Sequence, residues 1–562
     1  MNDFYAFSDL ALTPALPKPF SMNYVDIWKS LKTIERGRYK SDYHFHDSLS
    51  MVLVSLKDAN TAYTAKCYHS YAFVQPLALF SPVVNGKQII QVYTDHKKRG
   101  HEGCRVELID GEDALTYIKK WADANTGFSK DPGVRLNNVL ATLKYSTRSK
   151  SFGLKIGQFS LRDRLPDKAY IEYKLICSSG MIHVRDKWDA YPNGPKVKFS
   201  SLSTFVHNVC HARPPPSAFL RESPPQKYTP FRPKENLYIP KLMENPYKSP
   251  TPIVNVPASS PVPLPRVEPT IKPAISFVGI SGGEASVAFK LEGRPGVGVL
   301  HVHTLPTKGD ISKELDNITA NLIALSGHGV RNIIIDLQGN LGGDTSFASA
   351  LVQLFFPNKD ELDKSLPSNL RVTESIKDLT TALFNNAPGA LYDASSYYDL
   401  ATKLPGSVTA KAPATRTWPP SNPTPADPTA ANIRLLTDGR CGSACSMSAV
   451  FFQKLNNITT YSVGGITAEP MTASTSPGGA VTSLNNVYNL YTLAKVPSPF
   501  NPLPYKGDVH FTALEAFAPG SAIPLDFDAP YLMADRRLDY TPENAKDRMV
   551  MWEQVAADAW PA

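Results

Sequence analysis

Ser443 stands in the run Asp438-Gly-Arg-Cys-Gly-Ser-Ala-Cys-Ser-Met447, between an apolar stretch, Ile433-Arg-Leu-Leu-Thr437, and a segment that reads as helix towards Lys454. A serine at a sharp strand-to-helix turn is a candidate nucleophile, because the first helical amides point at an oxyanion forming beside its hydroxyl. Gly442 and Ala444 flank it with little bulk, which leaves room for a substrate carbonyl. The same pattern also serves as plain packing before a helix, and a short motif alone does not separate the two.

A second strand-turn-helix pattern lies upstream. Arg331-Asn-Ile-Ile-Ile-Asp-Leu337 is the continuous β-branched run of a buried parallel strand, and Gln338-Gly-Asn-Leu-Gly-Gly343 follows it ahead of a helix over Asp344 to Phe356. Glycines there allow a tight turn and present amides without side chains in the way, so Gly342 and Gly343 join Ala444 as candidate oxyanion donors. The turn lacks the Lys and Ser/Thr of a phosphate loop and the spacing of a dinucleotide fingerprint.

Together these units resemble the core of the tail-specific, or C-terminal-processing, serine peptidases, family forty-one of the serine peptidases. The resemblance extends through Leu354-Phe-Phe-Pro357, Tyr461-Ser-Val-Gly-Gly465, Pro477-Gly-Gly479, Leu514-Glu-Ala-Phe517 and Ile523-Pro-Leu525. These details resemble a fungal branch related to the chlamydial protease-like activity factor, and they cover Phe277 to about Thr541. The fold implied is a multidomain α/β protein with a ββα-spiral, crotonase-like core, a helical N-terminal region and a β-rich PDZ-like domain. The resemblance implies a peptide bond as substrate and no cofactor or metal.

The bacterial branch activates serine with a lysine roughly two dozen residues downstream. That position here is Ala468, and Lys454 and Lys495 sit outside the matching turn. The chlamydial-like branch uses serine, histidine and a carboxylate, which the resemblance carries onto Ser443 and Glu515. Its histidine falls in a segment that reads Asp58-Ala-Asn60-Thr61, after a helix expected over Asp47 to Lys57. Asn60 occupies the histidine position. A carboxamide can hold Ser443 by a hydrogen bond but cannot take its proton at neutral pH.

Three accounts of Asn60 stand side by side. The chain is an inactivated variant or natural pseudoenzyme; or His69, His301 or His303 substitutes as base; or the register is shifted, against which Lys66-Cys-Tyr68 and Phe73-Val-Gln-Pro76 follow at the expected spacing. His69 equally reads as a loop or strand residue, and His301 and His303 as same-face residues of a strand over Val297 to Thr304. Glu515 taken alone reads as a solvated or paired carboxylate, and as a triad member it would fix the tautomer of a histidine.

The elements that must position these residues fall into four stretches. Residues 1–70 read as helical, with Tyr24 to Glu35 and Asp47 to Lys57 at helix spacing; 71–212 are β-rich and PDZ-like; 213–273 form a proline-rich connector; 274–562 form the peptidase core. In the PDZ-like stretch, the strand segment Gly103 to Gly111 followed by a helix over Asp113 to Ala122 resembles a module with a groove for an extended chain end, and an ordinary hairpin plus helix would read the same. Further on, Tyr170 to Cys177 and Met181 to Asp186 read as a hairpin joined at Ser178-Ser-Gly180. A second proline-rich loop, Thr417 to Pro428, precedes the nucleophile strand.

The chain has 562 residues, 42% of them hydrophobic, enough for two or three globular units. A formal charge of +8 without a long basic run does not imply nucleic acid, and no stretch has the length of an apolar membrane span. Six cysteines do not make a disulfide-dense scaffold, and Cys441 and Cys445 read as small hydrophobes around the elbow. Asn317-Ile-Thr and Asn457-Ile-Thr are formal glycosylation acceptors. Residues 1–20 lack the apolar core of a signal peptide, which fits either an intracellular chain or one whose leader has been removed; the secreted relatives that the resemblance implies tilt the reading to the second. The partners implied are a peptide or protein substrate, with a homodimer as one assembly open to the chain. A silent peptide-binding pseudoprotease and an enzyme that trims or cyclises a precursor peptide are the other readings.

Overall fold

Buried apolar runs build a central sheet in the strand order Ile275–Phe277, Ser286–Leu291, Val297–Val302, Asn332–Asp336, Ile433–Thr437, Thr459–Val463, Arg536–Leu538. The computed structural model describes all residues except 2, 15, 66, 193–198, 211–274, 278–284, 307–310, 357–365, 367, 372, 387–429, 479, 504–506 and 562. Pairing is antiparallel up to Val297–Val302 and parallel beyond it. Parallel strands are covered on both faces, which is why they read as continuous hydrophobic runs rather than alternating ones. Phe347, Leu351, Phe355, Ala444 and Phe452 pack on one face, and Tyr145, Phe289, Trp552 and Val555 on the other. The Phe, Leu and Val side chains among these, fully buried, each contribute about 1.5–3 kcal/mol.

A second sheet joins the two ends of the chain. Ala62–Thr64 pairs antiparallel with Asp508–Ala516, Ala62 opposite His510, and the same long strand pairs with Ser368–Leu370 and Ala480–Ser483. The segment carrying Asn60 is thereby held against the strand carrying Glu515. The helix before it runs Asp42–Ser55, five residues earlier in its start than the spacing predicts, because the Ser41 hydroxyl caps it by accepting from His44 N. It ends where Lys57 turns to φ 52°.

The PDZ-like sheet has the order Gly180–Lys187, Tyr170–Cys177, Arg105–Ile109, Ile90–Asp95, Leu77–Phe80. Ile118 and Ala122 of the helix Ala114–Asn125 pack into its core with Val106 and Leu175. The predicted hairpin is present, with Cys177 opposite Gly180. The connector 213–273 and the loop Thr417 to Pro428 lie outside the described residues.

The cysteines depart from the sequence reading. Cys67 pairs with Cys210, Cys104 with Cys177 and Cys441 with Cys445, so Cys441 and Cys445 are a disulfide rather than two small hydrophobes. A four-residue separation at a bend brings their Cα atoms to 5.1 Å, within the reach of a disulfide, which spacing along an extended chain does not reveal.

Candidate active site

Ser443 follows the strand Ile433–Thr437 after the five-residue turn 438–442 and is the residue before the helix Ala444–Val450, with φ 53° and ψ −127°. A non-glycine residue at positive φ is strained, and at a strand-to-helix elbow that strain pushes the side chain out of the turn. Its surroundings over-determine the conformation. Ser443 N donates to Ser476 O at 3.0 Å, Thr475 N to Cys441 O at 2.9 Å, and the Cys441–Cys445 disulfide spans the turn. The helix then loosens into a π-helical turn, Phe451–Leu455, short of the regular helix expected as far as Lys454.

The glycine turn lies directly against the elbow. A methyl group on Gly342, at φ 97°, would stand 2.5 Å from Gly442 O, 3.0 Å from Ser443 Cβ and 3.1 Å from Ala444 N. On Gly343 it would collide with Leu305 O. Only glycine permits this approach. Gly342 N donates to Asn340 Oδ1 at 2.9 Å, while among the described residues no acceptor takes the Gly343 or Ala444 amide. Asp438 ties the two turns together, accepting from Gly339 N and Arg440 N at 3.1 Å each. Burial works to raise its pKa, but the buried Arg440 guanidinium outweighs this and holds the carboxyl below its usual range.

Asn60 is brought to Ser443. Its Nδ2 donates to Ser476 O at 3.1 Å, the carbonyl that Ser443 N also uses, and Ala59 N donates to Ser476 Oγ at 3.1 Å. Asp58 shapes this segment, its Oδ1 accepting from Asn60 N at 2.9 Å and its Oδ2 from the hydroxyls of Thr61 at 2.7 Å and Thr512 at 2.9 Å.

Glu515 lies three residues past Thr512 on the long strand. Opposite Ala480 and Val481 stand Leu514 and Thr512, so Ala513 is a bulge, which turns Glu515 to the face of Thr512. Burial pushes its carboxyl up to about 7 against the pull of Arg371, with Asp9 adding to the rise. Among the described residues no hydrogen bond joins it to Asn60.

The other histidines are engaged elsewhere. His69 Nδ1 contacts Ala65 O at 2.9 Å. His301 Nδ1 lies 3.3 Å from Asp336 Oδ2, and the rings of His301 and His303 pack on Tyr145, on the sheet face away from the elbow helix. Lys454 Nζ lies over the Tyr531 ring at 5.2 Å.

Residues that sequence reasoning missed hold the elbow from outside. Asn137, on the helix Pro132–Val139 beside the PDZ-like core, donates to Asp438 O and Val463 O at 2.9 Å each and accepts from Gly465 N at 2.8 Å. Asp131 accepts from Thr472 N at 2.8 Å. No local pattern marks an asparagine whose partners lie hundreds of positions away. Asp526, by contrast, follows directly on the Ile523-Pro-Leu525 segment that the family resemblance already singles out.

Residues 72–173 match the CPAF-like PDZ domain, and residues 296–475 match peptidase family S41. Among solved structures, mature CPAF matches with a TM-score of 0.50 at 14% identity, over 99% of this chain and 94% of its own. A CPAF mutant gives 0.52 at 13% identity, over 99% and 94%. The photosystem II D1 C-terminal processing protease matches at 11% identity over 90% of this chain and 85% of its own, with a TM-score of 0.28. At these identities the likeness to the CPAF structures is one of fold. No curated protein matches the chain.

Proposed function

The chain carries an S41 peptidase domain and a CPAF-like PDZ domain, and from that premise we propose that it is a serine endopeptidase of the CPAF-like type whose base position is disabled by Asn60. The single observation that carries the reading is the shared acceptor: Ser443 N and Asn60 Nδ2 both donate to Ser476 O. The shared carbonyl keeps the Asn60 side chain near the Ser443 backbone, and in this reading position 60 is where the general base would stand.

In this reading Ser443 Oγ attacks the peptide carbonyl, and the developing oxyanion takes the amides of Ala444 and Gly343. Gly342, whose amide is committed to Asn340, serves by leaving space rather than by donating. Glu515 faces the same side as Thr512 and is the carboxylate that the family resemblance assigns to orient the base. Asn60 has no basic nitrogen, so the serine keeps its proton and attack is slow. The substrate is a peptide or protein, and no cofactor is needed for acyl transfer of this kind. Three disulfides suit an oxidising compartment.

The test is labelling by a fluorophosphonate probe, with the adduct mapped by mass spectrometry, for the chain and its Asn60→His variant. Labelling of Ser443 in the histidine variant alone supports the reading. Equal labelling in both assigns the proton to another base, and none in either leaves a peptide-binding protein.

A further inference from the structure

Behind Asn60 lies a buried charge cluster. Asp58, Asp526 and Lys130 are all buried, and they come from three separated parts of the chain. Asp58 has both oxygens committed, to Asn60 N, Thr61 and Thr512. Asp526 Oδ2 accepts from Gly478 N at 3.2 Å, whereas its Oδ1 is buried and without a hydrogen bond among the described residues. Gly478 links Asp526 to position 60: its amide donates to Asp526 Oδ2, and a methyl group on it would stand 3.0 Å from Asn60 Nδ2.

The charges do not balance. Two carboxylates face one ammonium, and Lys130 Nζ is spread between Lys57 O at 3.4 Å and the Phe527 ring at 4.3 Å. Tyr5 faces both carboxylates with a neutral hydroxyl. Arg135, which faces Lys130, is taken by Asp123 Oδ1 at 2.8 Å. A buried site with one anion too many takes up either a proton or a further cation. In the chain as it stands the balance tips towards proton uptake: burial, with the neighbouring Asp58, pushes the Asp526 carboxyl up to about 7 against the pull of Lys130.

We propose that Asp526 is a positioning residue for a base at position 60: its carboxylate, behind Gly478, supplies the negative charge that stabilises an imidazolium there. The proposal rests on the peptidase reading above. During acylation a histidine at position 60 would accept the Ser443 proton as the Oγ–carbon bond forms, and Asp526 would stay ionised while the imidazolium exists. No proton passes to Asp526. With Asn60 in place the cluster has no cation beyond Lys130 to stabilise, and burial with Asp58 keeps the Asp526 carboxyl above its usual range instead.

The experiment follows the rate of Ser443 labelling against pH in Asn60→His, Asn60→His/Asp526→Asn and Asn60→His/Glu515→Gln. Expected is an acid limb above the ordinary histidine value of about 6.5 in Asn60→His, moved down by about one pH unit when Asp526 becomes asparagine. A merely structural Asp526 would lower the rate at every pH without moving the limb, which overturns the proposal. So does a shift carried by Glu515→Gln with none from Asp526→Asn. Should Asp526→Asn fail to fold, the Asn60→His limb decides alone, and a limb below about 6.5 overturns the proposal. Absence of labelling in Asn60→His overturns the peptidase reading itself, a result distinct from labelling that ignores Asp526.

Discussion

Asn60 and Ser443 converge on one acceptor, the carbonyl oxygen of Ser476, which takes a hydrogen bond of 3.1 Å from the first and 3.0 Å from the second. The turn Ser476-Pro-Gly478 is therefore the piece of backbone that sets the distance between Ser443 and Asn60. Both Ser476 and Gly478 adopt positive φ, which bends the turn tightly enough to serve both.

Gly342→Ala is expected to abolish probe labelling in an Asn60→His background, by a hundredfold or more, while most of the fold survives. The added methyl would sit 2.5 Å from Gly442 O at a φ of 97°, so the elbow or the glycine turn must move. Labelling rates beside a circular dichroism spectrum check this; an unchanged rate would remove the glycine turn from the site.

Alkylation of the denatured, unreduced chain is expected to find no free thiol, since every cysteine is paired. Cys441→Ala/Cys445→Ala removes a very short loop closure, worth about 2 kcal/mol in the chain-entropy account. Urea unfolding measures that loss. The labelling rate at 25 °C should fall as well, because Ser443 loses the clasp on its strained backbone.

Asn137→Ala leaves the carbonyls of Asp438 and Val463 and the Gly465 amide without the partner they share. Buried polar groups stranded in this way cost about 1–3 kcal/mol each, and shared relaxation brings the expected total to about 3 kcal/mol. Asn137→Asp keeps the acceptor for Gly465 N but loses both donated bonds, and should recover only part of the loss in the same urea titration.

Stability should carry a signature of the raised carboxyls Glu515 and Asp526. A carboxyl raised in the folded state binds its proton there more tightly than in the unfolded chain. Its contribution is full below the unfolded value near 4 and is lost as pH rises towards about 7. Asp336, held down to about 2 because His301 and Arg548 overcome its burial, works in the opposite direction and at lower pH. Glu515→Gln or Asp526→Asn should therefore gain on the parent chain as pH is raised from 4.5 to 8. Urea midpoints at the two pH values give the answer, and a parallel offset at both would rule it out.

Of the two formal glycosylation acceptors, Asn457 is expected to be modified on secretory expression and Asn317 to remain bare. Asn457 is exposed in a left-handed turn at φ 53°, whereas Asn317 lies within the helix Ile311–Gly327 with its Nδ2 buried. Peptide mass mapping before and after enzymatic deglycosylation distinguishes them.

Much of the central sheet and of the two turns at its edge was legible in the residues because their signals are local. A buried parallel strand must be apolar throughout, so Ile433–Thr437 and Asn332–Asp336 announce themselves, as do the glycines that let two turns meet. The PDZ-like hairpin was equally plain, since a strand, a small-residue turn and a second strand are contiguous. Asn60 was visible only through family resemblance. Three things depended on tertiary structure, for a common reason: they rest on contacts between distant segments, which leave no periodicity behind. The Cys441–Cys445 pairing needed the bend that brings two Cα atoms to 5.1 Å. The side to which Glu515 turns needed a bulge at Ala513, defined by the partner strand. The charge cluster of Asp58, Lys130 and Asp526 needed three distant segments to close together and bury it, and it is that burial, not the residue types, that makes its imbalance matter.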